Sequence, residues 1–218
     1  MPEHWVTLFD GKSMDGWTQR GGTAPYHVED GAVVGTTVPG REENGKMVSG
    51  TDNSFLCTNR VYGDFILELE FRVDQGMNSG VQIRSNSYAG YHDGRVHGYQ
   101  VEIDPSDRAW TGGIYDEARR GWLFKLEGDD KARARGAFKQ DEWNKFRIEA
   151  RGDNIKTWVN DIPVTDLDDS MTLRGFIALQ VHSSKSKETK QVRWRNIRIQ
   201  DFDRANTDPI PYKEQRKD

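Results

Sequence analysis

The stretch DFILELEFRVD, residues 64–74, decides the fold class. Every second side chain in it is bulky and apolar, so an extended strand would place those side chains on one face. They are Phe65, Leu67, Leu69, Phe71 and Val73. The other face is mostly charged, which is typical of a strand with one buried side and one side in water. The stretch therefore predicts a long antiparallel strand.

The same alternation recurs later in the chain. WNKFRIEARG, residues 143–152, is followed by NIKTWVND, residues 154–161, and the Gly-Asp-Asn sequence at their junction predicts a hairpin turn. VRWRNIRIQDF, residues 192–202, changes phase in its middle. That change predicts a β-bulge near Arg195 and Asn196.

The composition agrees with a fold of many short strands. The chain of 218 residues has 22 glycines and 11% aromatic residues, and few of its segments have a helical period. We therefore predict an all-β fold, a two-sheet antiparallel β-sandwich, with a single domain over residues 1–203 and a polar tail over residues 204–218. A long loop is predicted over residues 39–53, and one helical turn over residues 116–120.

Charge and hydropathy exclude several classes of partner. The net charge is −4 and the 31 basic residues are spread along the chain, so we predict no nucleic-acid partner. No apolar run approaches the roughly 20 residues of a membrane helix, so no membrane insertion is predicted. The first residues lack the pattern of an export signal. Cys57 is the only cysteine, which excludes an intrachain disulfide and makes packing its predicted role.

Three predicted strands carry polar residues of other types than those usual on a solvent-exposed strand face. They are NSGVQIRS (residues 78–85), HGYQVEIDP (residues 97–105) and GFIALQVHSS (residues 175–184). Opposite their apolar residues stand Gln82, Arg84, Gln100, Glu102, Asp104, Gln180 and His182. Lysine and threonine, common on wet strand faces, are missing from this set. Neighbouring strands would bring these groups into one polar cleft, whereas separate strands would leave each as a solvent face.

A cleft of this composition suits a small carbohydrate. Amides and guanidinium groups form paired hydrogen bonds with sugar hydroxyls, carboxylates accept from them, and aromatic rings stack on C–H faces. Trp110, Tyr115 and Trp122 follow the central polar strand and are candidates for an aromatic wall, although each could equally be a core residue. We expect Gln82 and Gln100 to contact the sugar.

The sequence makes no firm cofactor prediction. Glu102 and Asp104, together with His182, could ligate a divalent cation, because carboxylate oxygens suit such ions. Two carboxylates at this spacing are a weak pattern, so the metal stays an open alternative. The sequence contains no G-x-S-x-G elbow, phosphate-binding loop, H-E-x-x-H motif or cysteine pair.

Motifs in a fixed order along nearly the whole chain resemble one known family, the 3-keto-disaccharide hydrolase domain. They include LFDGKSMDGW (residues 8–17), NSGVQIRS, TGGIYDEARRGWL (residues 111–123) and GFIALQVHSS. The resemblance implies a jelly-roll sandwich of the concanavalin A-like lectin and glucanase type, with its site on the concave sheet. The motif positions that it implies for the site are Asn78, Arg84, Asp104, Tyr115, Gln180 and His182.

The chemistry implied by the resemblance is cleavage of a 3-keto-glycoside. A ketone at C3 acidifies the C2 hydrogen, so a base removes that proton, an enolate forms, and the C1 substituent leaves before water adds. Such a site needs a base, donors for the enolate oxygen and an acid for the leaving oxygen. We expect His182 and Glu102 to share the acid and base roles. Arg84 and Gln180 are the expected donors, with Asp104 as an orienting group.

Two other functions fit the same cleft. A β-glucanase would use Glu102 and Asp104 as hydrolytic carboxylates, and retaining chemistry would need them about 5–5.5 Å apart. A non-catalytic carbohydrate-binding module would need the cleft and the rings without a tuned base. The resemblance implies a periplasmic or secreted enzyme with its signal removed, while a cytoplasmic location stays open. The sequence makes no prediction of the oligomeric state.

Overall fold

The fold is an all-β sandwich of two large antiparallel sheets. A computed structural model describes residues 4–202, and nearly every regular element in them is a strand. The apolar faces of both sheets enclose one large core. The predicted all-β, two-sheet antiparallel fold is confirmed. Within the described residues, no helix has the length and apolar character needed to cross a membrane.

The elements follow one another in short segments. In chain order the strands are Val6–Thr7 (β1), Trp17–Gly21 (β2), Tyr26–Glu29 (β3), Ala32–Thr36 (β4), Arg41–Glu43 (β5), Lys46–Val48 (β6), Ser54–Thr58 (β7), Phe65–Val73 (β8), Ser79–Asn86 (β9), His97–Ile103 (β10), Ile114–Glu117 (β11), Gly121–Phe124 (β12), Asn144–Arg151 (β13), Asn154–Val159 (β14), Ile162–Asp168 (β15), Phe176–Val181 (β16) and Gln191–Asp201 (β17). One short α-helix spans Ala132–Arg135 (α1), and 3₁₀ turns span His92–Gly94 and Asp129–Lys131.

Pairing between strands distant in sequence builds both sheets. The eight-stranded sheet has the order β15-β14-β13-β8-β17-β4-β3, with β1 also paired to β17. The seven-stranded sheet has the order β12-β11-β10-β9-β16-β7-β2. Strand β9 lies between β10 and β16, so the three strands with the unusual polar residues are neighbours. The segment predicted as a long loop contains a separate hairpin, β5 with β6.

Alternation along the strands places the core as predicted. The five apolar residues of the opening stretch, at alternate positions of β8, are at most 2% exposed. Strands β13 and β14 form the predicted hairpin, with Arg151 paired to Asn154. The predicted bulge in β17 is also present, because its register with β8 shifts between Arg195 and Arg198 and Asn196 has a left-handed φ of 53°.

One local prediction is wrong. No helical turn forms over residues 116–120, because β11 continues through Glu117, which pairs with Gly98 of β10. A turn then leads directly into β12, whose first residue pairs back to Asp116. The predicted tail over residues 204–218 lies outside the described residues.

The core prediction can be tested at Phe146. This side chain is fully buried in β13, with its ring centroid 4.4 Å from that of Phe71. Phe146→Ala would leave a cavity, so we expect the free energy of unfolding to fall by about 3–5 kcal/mol in urea titrations. Leu173→Ala is the matched control, because Leu173 is 48% exposed, and should change it by at most about 0.5 kcal/mol. Equal effects of the two substitutions would contradict this packing.

Candidate active site

The polar face is the side of the seven-stranded sheet that is turned away from the large core. Register places Gln100 of β10 opposite Gln82 of β9, and Glu102 opposite Gly80. Gly80 is in turn opposite Gln180 of β16. Four of the predicted site residues therefore lie on three adjacent strands and share one face.

A chain of hydrogen bonds along this face ends at Glu102. Ser85 Oγ donates to Gln82 Oε1 at 2.8 Å, and Gln82 Nε2 donates to Gln100 Oε1 at 2.7 Å. Gln100 Nε2 then donates to Glu102 Oε2 at 2.7 Å, while Asn78 Nδ2 donates to Oε1. Each of the two glutamine amides uses its oxygen to accept and its nitrogen to donate onward. This amide chain fixes the position of the Glu102 carboxyl.

The Glu102 carboxyl is buried, with only 3% of the residue exposed. Burial raises its pKa to about 7, because the charged form loses its hydration. The hydrogen bonds from Asn78 and Gln100 oppose that shift, and the nearby charge of Asp104 adds to it. A carboxyl with this pKa is populated in both its acid and base forms at neutral pH, as proton transfer requires.

Gly80 and Gln180 lie beside Glu102 on the neighbouring strands β9 and β16. The side chain of Gln100 lies over Gly80, where an added Cβ would be 2.5 Å from Gln100 Cγ. Only glycine leaves that space. On the other side of Gly80, neither the Nε2 nor the Oε1 of the buried Gln180 amide has a hydrogen-bond partner among the described residues. An unpaired buried amide is rare and is often explained by a bound ligand or water.

The structure places Arg84 away from this site, so its predicted position is wrong. Its Nε donates to Gly63 O at 2.9 Å, its Nη1 to Gly152 O at 2.7 Å, and its Nη2 lies 3.1 Å from Asp64 Oδ1. Gly63 and Asp64 directly precede β8, and Gly152 lies in the turn between β13 and β14, so all three partners lie at the ends of strands of the eight-stranded sheet. Arg84 has a left-handed φ of 45°, and this irregularity in β9 breaks the alternation on which the prediction relied.

Asp104 follows β10 and orients the loop after it. It accepts hydrogen bonds from Ser106 Oγ at 2.6 Å and Arg108 Nε at 2.7 Å, and from the Trp110 backbone N–H at 3.3 Å. Burial alone would raise the pKa of Asp104, but the bonds from Ser106 and Arg108 outweigh it and lower that pKa. Asp104 is therefore an ionised anchor beside the site.

Arg108 is a site residue that sequence reasoning missed. Its guanidinium carbon lies 4.7 Å from the ring centroid of Trp110 and 4.9 Å from that of Trp122. Its Nη2 is 4.0 Å from Glu102 Oε1. The one sequence signal for Arg108 is its position four residues after Asp104, just beyond a strand, where the two side chains can pair. The two tryptophans thus hold a cation at the edge of the site.

The remaining predicted residues lie further along the face. Tyr115 pairs with Gln100 and with Trp122, and its ring centroid is 5.3 Å from that of Trp122. His182 directly follows β16, and its Nδ1 lies 2.7 Å from Ser183 O. Glu117, which sequence reasoning placed in a helical turn, is a second buried carboxyl on this face, at 5% exposure.

Part of the same face is apolar, which the sequence did not predict. A small buried cluster consists of Phe55, Cys57, Val96, Phe176 and Ala178. Cys57 is fully buried there, and burial raises the pKa of its thiol, so packing explains this residue. A cavity of about 680 Å³ adjoins the cluster, and its walls include Arg20, Asn53, Arg95, Glu117 and Ser183.

Glu102 and Asp104, which the sequence left open as ligands of a divalent cation, are engaged in contacts within the protein. Within residues 4–202 no group of three or more His, Cys, Asp or Glu side chains could hold a metal ion. Both oxygens of Glu102 already accept from amides, and Asp104 accepts from Arg108. The Arg108 guanidinium itself lies beside both carboxylates.

The raised pKa of Glu102 predicts a pH-dependent stability. The Glu102 carboxyl has a pKa of 4.5 in the unfolded chain and of about 7 in the folded protein. Between these pH values, Glu102 is therefore protonated in the folded state and ionised in the unfolded state. Raising the pH through this window should therefore destabilise the wild type relative to Glu102→Gln, by up to about 3 kcal/mol. Urea unfolding of both proteins at several pH values measures the difference. A difference that stays constant from pH 4 to pH 8 would contradict the buried, perturbed carboxyl.

Solved structures with related folds include several from carbohydrate biology. A candidate glycosyl hydrolase from Parabacteroides distasonis has 16% identity and a TM-score of 0.61, covering 91% of this chain and 94% of that one. The carbohydrate-binding module CBM66 from Bacillus subtilis has 18% identity and a TM-score of 0.57, covering 84% and 94%. A lichenase, a β-1,3-1,4-glucanase from a mouse hindgut metagenome, has 11% identity and a TM-score of 0.56, covering 95% and 99%. At these identities the likeness concerns the fold.

Comparison with family models is more specific. No curated protein matches the chain. The model of the 3-keto-alpha-glucoside-1,2-lyase-like domain matches residues 4–200, which agrees with the resemblance seen in the sequence motifs. This match supports a carbohydrate-active function. The chain belongs to the family of 3-keto-alpha-glucoside-1,2-lyase-like domains.

Proposed function

We propose that this protein is an enzyme that cleaves 3-keto-glycosides by elimination followed by hydration. The observation that carries the proposal is the Glu102 carboxyl, which is buried, held by two amides and has a pKa of about 7. A binding module needs no such group. Removal of a C2 proton, in contrast, needs a base whose pKa lies near the pH at which the enzyme works. The family match is the second support.

The chemistry of the substrate explains why one buried carboxylate is enough for the first step. A carbonyl at C3 makes the C2 hydrogen acidic, because the electron pair left behind is delocalised onto the C3 oxygen. Glu102 in its carboxylate form removes that proton. The amide chain holds its oxygens in place, so little reorganisation accompanies the transfer.

The enolate oxygen needs hydrogen-bond donors, and two groups beside Glu102 can provide them. Arg108 is a fixed cation between two tryptophan rings, 4.0 Å from the Glu102 carboxyl. Gln180 has an amide with no partner in the described part of the chain. Arg108 takes the role that the sequence had suggested for Arg84, with Asp104 as its orienting group.

The other polar residues have supporting roles in this proposal. Gln82 and Gln100 hold Glu102 through the amide chain rather than binding the sugar directly. Tyr115 and Trp122 provide ring surface next to that chain. His182, directly after β16, has a supporting role near the oxygen that leaves C1 and is not assigned a proton transfer of its own.

The proposal predicts a substrate-specific loss in Glu102→Gln. We expect the wild type to release the leaving group from a 3-keto-glucoside but not from the parent glucoside, and the variant to be about 10² to 10⁴ times slower. Glu142→Gln is the matched control, because Glu142 is an exposed glutamate in a surface ion pair with Lys139, and should keep the wild-type rate.

The same assay separates the alternatives. Cleavage of unoxidised β-glucan by the wild type would support a conventional glucanase instead. Saturable binding of the 3-keto-glucoside without any turnover would support a binding module. A Glu102→Gln variant with the wild-type rate would remove Glu102 from the mechanism.

A further inference from the structure

The proposed elimination needs a second proton-transfer group, and the polar face contains one that the proposed function does not use. Glu117 of β11 pairs with Gly98 of β10, so it lies further along this face than Glu102 does. Tyr115 lies between the two carboxyls. Burial is the main cause that raises the pKa of the Tyr115 hydroxyl, and the charges of Glu117 and Glu102 add to this shift. The two carboxyls therefore flank one stretch of the face.

Glu117 is held in place by groups from other segments. Asn53 Nδ2 donates to Glu117 Oε1 at 3.4 Å, and Arg95 Nη2 lies 3.7 Å from the same oxygen. Asn53 Oδ1 also accepts from the Ser183 backbone N–H at 2.8 Å, which ties the end of β16 to this carboxyl. Burial raises the pKa of Glu117, although Arg95, Asn53 and His182 oppose the shift. Glu117 therefore keeps its proton to higher pH than an exposed glutamate.

The surroundings of Glu117 differ from those of Glu102. Glu117 lines the cavity of about 680 Å³, and Glu102 does not. The cavity is bounded by the apolar Phe55 and Val96 as well as by charged side chains. Most of the lining side chains are polar or charged, and such convergent polar groups beside a small apolar wall suit a hydroxylated group. Glu117 therefore lies beside a space that Glu102 does not border.

We propose that this cavity receives the leaving group of the 3-keto-glycoside and that the carboxylic acid of Glu117 protonates the departing oxygen. The inference rests on the proposed function and adds to it a proton donor and a leaving-group site. Asn53 and Arg95 position the carboxyl.

The proposed reaction has two steps, elimination and then hydration. In the first, Glu102 takes the C2 proton and the C2–H electron pair is delocalised onto the C3 oxygen as the enolate forms. The enolate electrons then form the C1=C2 double bond, and the C1–O bond breaks with its electron pair going to the leaving oxygen. Glu117 gives its proton to that oxygen. In the second, Glu117 takes a proton from water as the water oxygen bonds to C1, and Glu102 returns its proton to C2. Both carboxyls regain their starting forms.

Leaving groups of different basicity test the role of Glu117. Methoxide is a poor leaving group that needs a proton, whereas 4-nitrophenolate leaves without one. With the methyl and 4-nitrophenyl 3-keto-α-glucosides, we expect Glu117→Gln to slow the methyl substrate about 10² to 10⁴-fold and the nitrophenyl substrate by less than about tenfold. Glu142→Gln is again the control and should leave both rates unchanged.

An isotope measurement separates this inference from the proposed function. In D₂O, Glu117→Gln should still exchange the C2 hydrogen of the methyl substrate, whereas Glu102→Gln should not. Equal slowing of both substrates, or no slowing of either, would overturn the role of Glu117 while leaving wild-type elimination intact. A wild type that neither exchanges nor cleaves would instead overturn the proposed function. If Glu117→Gln does not fold, Glu117→Asp should show the same selectivity to a smaller degree.

Discussion

The site depends on one constraint, which is that the Glu102 carboxyl must be buried without losing its hydrogen bonds. The sheet meets this constraint with amides, because Gln82 donates to Gln100, and Gln100 and Asn78 each donate to one oxygen of the carboxyl. Gly80 makes room for the Gln100 side chain between the strands. Burial and these bonds act in opposite directions on the pKa of Glu102, and burial prevails, so the result lies near 7. A polar network of this kind stabilises the fold only when every member is paired.

The polar face is divided into regions with different surroundings. Glu102 and Arg108 lie beside the aromatic rings at the β10 to β12 side. Glu117 lies on the cavity of about 680 Å³, and Tyr115 stands between the two carboxyls. In the proposed reaction, elimination and hydration each need one proton removed and one delivered at different atoms of the sugar, which two separate carboxyls can do. The apolar cluster around Cys57 and Phe176 packs the rest of this face.

The sequence predicted the sandwich, the hairpin and the bulge because each depends on alternation, which is a local property. It also brought Gln100, Glu102 and Gln180 together, because their strands pair in regular register. It failed at Arg84, since an irregularity in β9 turns that side chain toward the other sheet. Arg108 and Glu117 were missed for a different reason. Their positions depend on contacts with segments that are distant in sequence or irregular, and no periodic pattern marks such contacts.

The most direct test of this account is the ionisation of Glu102 itself. The side-chain carboxyl carbons of the wild-type protein can be followed by ¹³C NMR during a pH titration, and the Glu102 signal is assigned by its loss in Glu102→Gln. We expect that signal to titrate with a midpoint of about 7. A midpoint near 4.5, the ordinary value for a glutamate, would show that Glu102 is neither buried nor ready for proton transfer at neutral pH.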